Sequence, residues 1–132
     1  MEQKYIKDDI VMYDNRIHTI IDTLGLNNYE LSYVRHPVNQ AELSGVHITP
    51  EILKKNRWKQ NGGQYSFTYK PYAGNKVELI GFFIEMFKDV HDMLTYKYFQ
   101  IFHENKNIYG CFYVHQLQHH LFGLGINHKM EV

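Results

Sequence analysis

The chain has 132 residues, and its 14 Lys and Arg residues balance 14 Asp and Glu residues, so it carries no formal net charge at pH 7 with the histidines neutral. This length predicts one domain whose core needs no disulfide or metal, and the charge balance excludes a global electrostatic attraction for nucleic acid. The single cysteine cannot form an internal disulfide, no signal peptide is recognisable, and the longest apolar run, VELIGFFIEMF, is too short to span a membrane.

Aromatic residues are frequent, with 11 Tyr, 8 Phe and one Trp. Such side chains pack well on a pleated, half-buried surface, so the composition favours a strand-rich fold. Most of the tyrosines are expected to line a small β core with their hydroxyls reaching water. Because Tyr and Trp are also enriched at protein interfaces, we expect a homo-oligomer.

The first third of the chain predicts four short strands. Residues 10–13 and 16–21 flank Asp14-Asn15, a pair suited to the type I′ turn of a β-hairpin. Residues 29–36 form a predicted third strand that ends before proline, and residues 45–48 (GVHI) form a fourth. We expect these strands to make a small SH3-like β-barrel element over residues 1–48.

The segment TPEILKKNRWK predicts a short helix. Thr49 is suited to cap it, and Pro50 stands at the first helical position, where its missing N–H does no harm. The helix should end near Asn56 or Arg57, since asparagine readily takes the left-handed conformation that terminates helices. Its apolar anchors are expected to be Ile52, Leu53 and Trp58.

The second half of the chain predicts an antiparallel meander and a final helix. After the turn NGG at 61–63, the segments QYSFTY, KVELIGFFIEMF and LTYKYFQIFH are strand-like, with turns at PYAGN (71–75) and HENKN (103–107). Both faces carry apolar residues, so the sheet should be covered on both sides. Residues 112–124 predict an amphipathic helix whose apolar stripe is Tyr113, Leu117, Leu121 and Leu124. The whole chain is thus expected to be one compact α+β domain, with the helix, meander and C-terminal helix in residues 49–132.

The segments YVHQLQHHLFGL, ITPEILKKNRW and DDIVMYDNRIHTI together resemble a family of small uncharacterised proteins found in phages, prophages and mobile elements of Bacteroidetes. The residues that match its closing V-H-Q-L-Q motif are Val114, His115, Gln116, Leu117 and Gln118. Thr49, Glu51 and Leu53 match its middle segment, whereas Arg57 stands where the family tends to have glycine and His119-His120 replace N-L. The resemblance covers most of the chain. It implies a viral or mobile-element accessory protein in the host cytoplasm, without implying a chemistry.

Catalytic and metal sites are not predicted. His115 and His119 lie four residues apart and would share a helix face, but a zinc site needs a third ligand, and no other histidine stands at a recognised spacing. Phosphate-loop and nucleophile-elbow patterns are absent from the sequence, and Cys111 lies in an aromatic strand-like context that favours a buried, inert thiol. We therefore predict no catalytic residue, no metal and no cofactor.

Two interpretations of the histidine-glutamine segment stay open. In the structural one, its amide and imidazole groups hydrogen-bond the protein's own backbone. In the binding one, they read a nucleotide-like ligand while aromatic side chains stack and cations hold phosphate. The candidate ligand-binding residues are Tyr113, His115, Gln116, Gln118, His119, Arg57, Trp58, Lys59 and Arg35. The basic residues around Trp58 also have a simpler interpretation, since cations complement the negative end of a helix dipole.

The sequence and the resemblance together predict a non-enzymatic phage or prophage binding protein. Its expected role is counter-defence, by sequestering a nucleotide-derived immune signal or by occluding a host protein. The expected partners are therefore a small nucleotide-like ligand or a host defence protein, with no membrane, and nucleic acid is not favoured. The alternatives are a nucleic-acid-binding module, a virion or assembly component, and a metal-dependent hydrolase.

Overall fold

Two antiparallel sheets and two α-helices make up the computed structural model, which describes residues 3–70, 76–88, 95–103 and 106–132. The predicted α+β class is confirmed. The predicted turn at 71–75 and the central part of the predicted turn at 103–107 lie outside the described residues.

The first sheet is a curled half-barrel with strands in sequence order. Its strands are β1 (Ile10–Tyr13), β2 (Arg16–Leu24), β3 (Asn28–Leu31) and β4 (Val38–Asn39). The predicted hairpin is confirmed, because Tyr13 pairs with Arg16 across Asp14 and Asn15, whose φ angles of 50° and 60° suit a type I′ turn.

The predicted third strand is confirmed only in its first part, and the predicted fourth strand is wrong. The third strand ends at Leu31 because Tyr33 takes a left-handed φ of 63°. Residues 45–48 are not the fourth strand, because their backbone bonds leave the first sheet: the N–H of Ile48 donates to Phe112 O at 3.0 Å, and the N–H of Val114 donates to Val46 O at 2.8 Å. This segment instead ties the first half of the chain to the start of the last helix.

The second sheet contains the predicted three-stranded meander, with one further strand at each edge. Its strands, in spatial as well as chain order, are β5 (Lys59–Asn61), β6 (Gln64–Tyr69), β7 (Val77–Lys88), β8 (Thr95–His103) and β9 (Lys106–Cys111). Its inner face buries Tyr65, Leu79, Phe99, Ile101 and Cys111. The other face leaves Phe82 and Ile84 exposed, so the predicted cover on both sides is incomplete over the described part of the chain.

The two helices are α1 (Pro50–Lys55) and α2 (Val114–Gly123). Thr49 caps α1 as predicted, accepting the N–H of Ile52 at 3.3 Å. At its end, however, Arg57 takes the left-handed conformation (φ 71°), whereas Asn56 does not (φ −104°). Over the described residues, no helix combines the length and apolarity needed to cross a membrane.

Two hydrophobic cores meet at β1. One core lies between the second sheet and the two helices, and Ile10 joins it, while the next residue, Val11, joins a second core inside the half-barrel. Alternation along a strand sends successive side chains to opposite faces, so β1 is shared by both cores. Leu117 and Leu121 of the predicted stripe are buried in the first core, whereas Leu124 lies at the helix end and is exposed.

Gly81 permits the close packing of the second sheet. It is buried on β7, and a Cβ there would overlap the fully buried ring of Phe99 on the neighbouring strand. We expect Gly81→Ala to lower the free energy of unfolding by about 1 to 2 kcal/mol, as overpacking does in cores, measured by urea denaturation. Gly63→Ala is the control, because nothing lies within 4 Å of a Cβ at that turn position. Equal losses in both variants would contradict this account.

Candidate functional site

The nine predicted ligand-binding residues do not form one site. Five lie at the start of α2, three lie at or after the end of α1, and Arg35 is exposed in the loop after β3. The contacts in each place determine which of these side chains can reach a ligand.

Gln118 is fully buried, and its amide is saturated by backbone groups. Its Oε1 accepts the N–H of Ile10 at 2.8 Å, and its Nε2 donates to the carbonyls of Asp8 at 2.7 Å and His128 at 2.9 Å. An amide with one acceptor and two donor hydrogens engaged has little capacity for a ligand. Gln118 therefore fits the structural interpretation of the motif.

Gln116 also serves the protein's own backbone. Its Oε1 accepts the N–H groups of Phe112 at 2.9 Å and Tyr113 at 3.1 Å. These N–H groups immediately precede the first residue of α2, so the side chain folds back over the helix start, as in a capping box. Tyr113, in turn, packs against Gly45 and lies 4.9 Å from the ring of His47.

A buried polar cluster lies where α2 meets the N-terminal segment. The carboxylate of Asp9, with no exposed surface, accepts from Nε2 of His119 at 2.6 Å and from the N–H of Ile6 at 2.9 Å. His115 lies beside this pair, with its ring centroid 5.8 Å from that of His119 and 5.0 Å from that of Tyr5. Sequence reasoning missed Asp9, because the charged partner of α2 lies 110 residues away.

Burial shifts the pKa values of two side chains in this cluster, His115 and Tyr5. It lowers the pKa of His115 to about 4, with smaller contributions from His119 and Lys4. It also raises the pKa of Tyr5. Tyr5 Oη, Asp9 Oδ1 and His115 Nδ1 are buried without a hydrogen-bond partner among the described residues. A buried polar atom without a hydrogen-bond partner lowers the free energy of unfolding, so this cluster destabilises the core locally.

A cleft of about 370 Å³ lies between the end of α1, β6 and the C-terminal tail. It is lined by Lys55, Asn56, Arg57, Trp58, Phe67, Leu121, Ile126, Asn127, Lys129, Met130 and Glu131. Three cations and one carboxylate surround a partly aromatic floor. Concave sites with an apolar lining and a few polar groups are where small ligands usually bind.

Asn56 holds the tail in place as one wall of this cleft. Its Nδ2 donates to the carbonyls of Ile52 and Glu131, each at 2.7 Å, and its Oδ1 accepts the N–H of Glu131 at 2.8 Å. The tail is also held at His128. The carbonyl of His128 accepts from Gln118, and its Nε2 lies 3.1 Å from the carbonyl oxygen of Lys7. The wall carrying Lys129 is therefore attached to both helices and to the N-terminal segment.

The candidate residues around Trp58 occupy different environments in the structure. Arg57 lines the cleft, whereas Lys59 is exposed on β5 and does not. Trp58 lines the cleft but is only 3% exposed, with its ring centroid 5.3 Å from that of Phe67. It is therefore the core anchor that was predicted, and its ring offers little surface to a ligand. Phe67 is only partly buried and is the more accessible ring.

The local sequence pattern missed Phe67, Asn56 and Lys129 as cleft residues. Lys129 lies 72 positions after Arg57 in the sequence, and no binding motif surrounds it. The dipole interpretation of the basic cluster does not explain Lys129, because this residue belongs to the tail and not to α1.

Metal and thiol chemistry find little support. Among the residues that the structure describes, no three His, Cys, Asp or Glu side chains are arranged to hold a metal ion. His119 uses its Nε2 to bind Asp9 directly. Cys111 is buried, and burial raises the pKa of its thiol to about 12, so it stays protonated and unreactive at neutral pH.

Comparison of this chain with protein-family models, with curated proteins and with solved structures gives no match.

Proposed function

We propose that the protein is a non-enzymatic binding protein that holds a small nucleotide-like anion in the cleft beside α1. The observation that carries this proposal is that Lys55, Arg57 and Lys129 line one cleft with Trp58 and Phe67, where Glu131 is the one opposing carboxylate. Guanidinium and ammonium groups are the usual protein partners of phosphate, and an aromatic ring offers contact to a base. The volume is at the lower end of small-molecule pockets, which favours a ligand of mononucleotide size.

The conformation of Arg57 supports the proposal independently. A left-handed φ costs a residue other than glycine roughly 1 kcal/mol or more, and the position just after a helix is where glycine is preferred. The sequence nevertheless places a long cation there, in the lining of the cleft. Residues kept in costly conformations often serve function.

The biological setting is proposed from the resemblance to phage and prophage proteins. In that setting the ligand is a nucleotide-derived immune signal of the host, and sequestering it in the host cytoplasm is counter-defence. Exposing the protein to lysate from infected cells, then heating it and analysing the released molecules by mass spectrometry, tests this step. Stoichiometric recovery of a nucleotide supports sequestration, and recovery of none contradicts it. Self-association of the protein stays a prediction.

Replacing Arg57 by glycine separates binding from stability. We expect Arg57→Gly to weaken binding of adenosine monophosphate about tenfold or more, because a charge-assisted hydrogen bond contributes roughly 1.5 to 3 kcal/mol. The same change should raise the free energy of unfolding by about 1 kcal/mol by removing the left-handed penalty. Trp58, the only tryptophan, lines the cleft and reports binding by its fluorescence.

Arg35→Gly is the matched control, because it removes the same charge at an exposed position outside the cleft. Adenosine without phosphate should bind much more weakly than the monophosphate, and added salt should weaken the monophosphate only. Unchanged affinity in Arg57→Gly, or equal losses in both variants, would reject the cleft as the anion site.

A further inference from the structure

The outward face of β2 exposes an apolar stripe on the first sheet. His18 and Ile20 point into the half-barrel and are buried, whereas Ile17 and Ile21 point outward, and Ile21 is 43% exposed. Leu24, near the end of the strand, is exposed as well. The first half of β2, which carries Ile17, pairs with β1, and the second half, which carries Asp22 and Leu24, pairs with β3.

Two carboxylates face each other across this stripe. Asp22 on β2 is directly opposite Glu30 on β3, and both are exposed. Like charges placed opposite each other on neighbouring strands are destabilising. Within the described part of the chain, no ion pair joins either carboxylate to a cation, and Asp22 only accepts the N–H of Thr23 at 2.8 Å. The face therefore combines apolar surface with two carboxylates that form no ion pair with the described residues.

The turn after β2 extends the stripe at a further conformational cost. Leu26 is 91% exposed and has a φ of 62°, followed by Asn27 at 60°. Asn and Gly are the residues that suit both central positions of such a turn, and a bulky side chain with positive φ is an outlier. A large apolar side chain is thus held in water by a strained backbone, where asparagine would be easier to accommodate.

We propose that this face, formed by Ile17, Ile21, Asp22, Leu24, Leu26 and Glu30, is a docking surface for a partner protein segment that carries apolar side chains flanked by Lys or Arg. Apolar contacts with the stripe would supply burial, and the cations would neutralise the Asp22–Glu30 pair. The surface shares no residue with the cleft. The docking proposal can therefore be tested independently of the small-ligand proposal.

Charge complementarity selects this occupant over the others. A second copy docked on the same face through a two-fold axis would bring a second pair of carboxylates against the first, which repels. Nucleic acid and anionic membrane surfaces are repelled by the same two charges. A segment bearing Lys or Arg is instead attracted by the same two carboxylates.

Chemical-shift mapping on the full 15N-labelled chain tests the proposal. The probe is a synthetic amphipathic peptide of Leu and Lys, and the control is the same peptide with Glu in place of Lys. We expect shifts confined to residues 17–31 with the Lys peptide, and none with the Glu peptide. Ile21→Ser should raise the Kd of the Lys peptide about tenfold through lost apolar burial, and Glu30→Lys should raise it at least as much.

Ile84→Ser is the matched control, because Ile84 has nearly the same exposure, 42%, on the other sheet. Leu26→Asn should bind the Lys peptide less tightly yet have a higher Tm, so its weaker binding cannot be caused by unfolding. The proposal is overturned if the Lys peptide shifts other regions or none, if the Glu peptide binds equally, or if Ile84→Ser weakens binding as much as Ile21→Ser. A concentration-dependent dimer that Ile21→Ser dissociates would assign the face to a second copy and also overturn it.

Discussion

Replacing Gln118 by methionine is expected to lower the free energy of unfolding by about 3 to 5 kcal/mol. Methionine keeps the length and most of the volume of glutamine, so the loss reports hydrogen bonding and not a cavity. The change leaves the N–H of Ile10 and the carbonyls of Asp8 and His128 without their side-chain partner. The unpaired N–H of buried Ile10 costs about 1 to 3 kcal/mol, and the two carbonyls, which belong to partly buried residues, each lose a bond of about 0.5 to 1.5 kcal/mol. Urea denaturation followed by circular dichroism measures the effect.

Gln116→Met provides the comparison within the same helix. Gln116 is only partly buried and caps two N–H groups at the helix start, so its loss should cost about 1 kcal/mol, as the loss of a cap usually does. If Gln118→Met proved no more destabilising than Gln116→Met, the central role given to Gln118 would be wrong.

Acidification is expected to destabilise the protein through His115. Burial holds the pKa of this imidazole at about 4 in the folded chain, against about 6.5 in the unfolded chain. Between these values the unfolded state binds a proton that the folded state does not, so stability is lost as the pH falls from about 6.5 to about 4. At about 1.4 kcal/mol per pKa unit, the loss over the window approaches 3 kcal/mol.

His115→Phe isolates this contribution. Phenylalanine keeps a ring in contact with Tyr5 and Tyr113, removes the unpartnered Nδ1 and cannot titrate. The burial of His120 lowers its pKa as well, and carboxylates titrate in the same range, so the informative quantity is the difference between the two proteins. We expect their free energies of unfolding to diverge steadily between pH 7 and pH 4. Parallel pH profiles would show that His115 does not titrate as its burial indicates.

Local sequence patterns predicted most of the secondary structure. The Asp14-Asn15 hairpin, the Thr49-Pro50 helix start and the meander are each encoded by residues within a few positions of one another, and each is confirmed. The failures at residues 32–36 and 45–48 have a different origin. Their backbone conformation depends on a left-handed Tyr33 and on pairing with Phe112 and Val114, which no local pattern specifies.

The candidate sites were less predictable, because they are built from distant parts of the chain. Arg57 was identified from the basic cluster, but its partner in the cleft, Lys129, comes from the tail. The histidine and glutamine side chains of α2 were correctly placed on a helix, yet only the structure brings Asp9 and Ile10 to them. Periodicity predicts which face a side chain occupies, and tertiary contacts determine what that face meets.

The bond between Ile10 and Gln118 also constrains the order in which the chain can fold. The two residues lie 108 positions apart, so the N–H of the first residue of β1 obtains its buried partner only after nearly the whole chain has been synthesised. Closing so long a loop is entropically costly and is typical of slowly folding topologies. On the ribosome, the half-barrel would thus remain without its α2 contacts until the last helix emerges, a period in which Ile10, which packs in the same core as α2, is open to other chains.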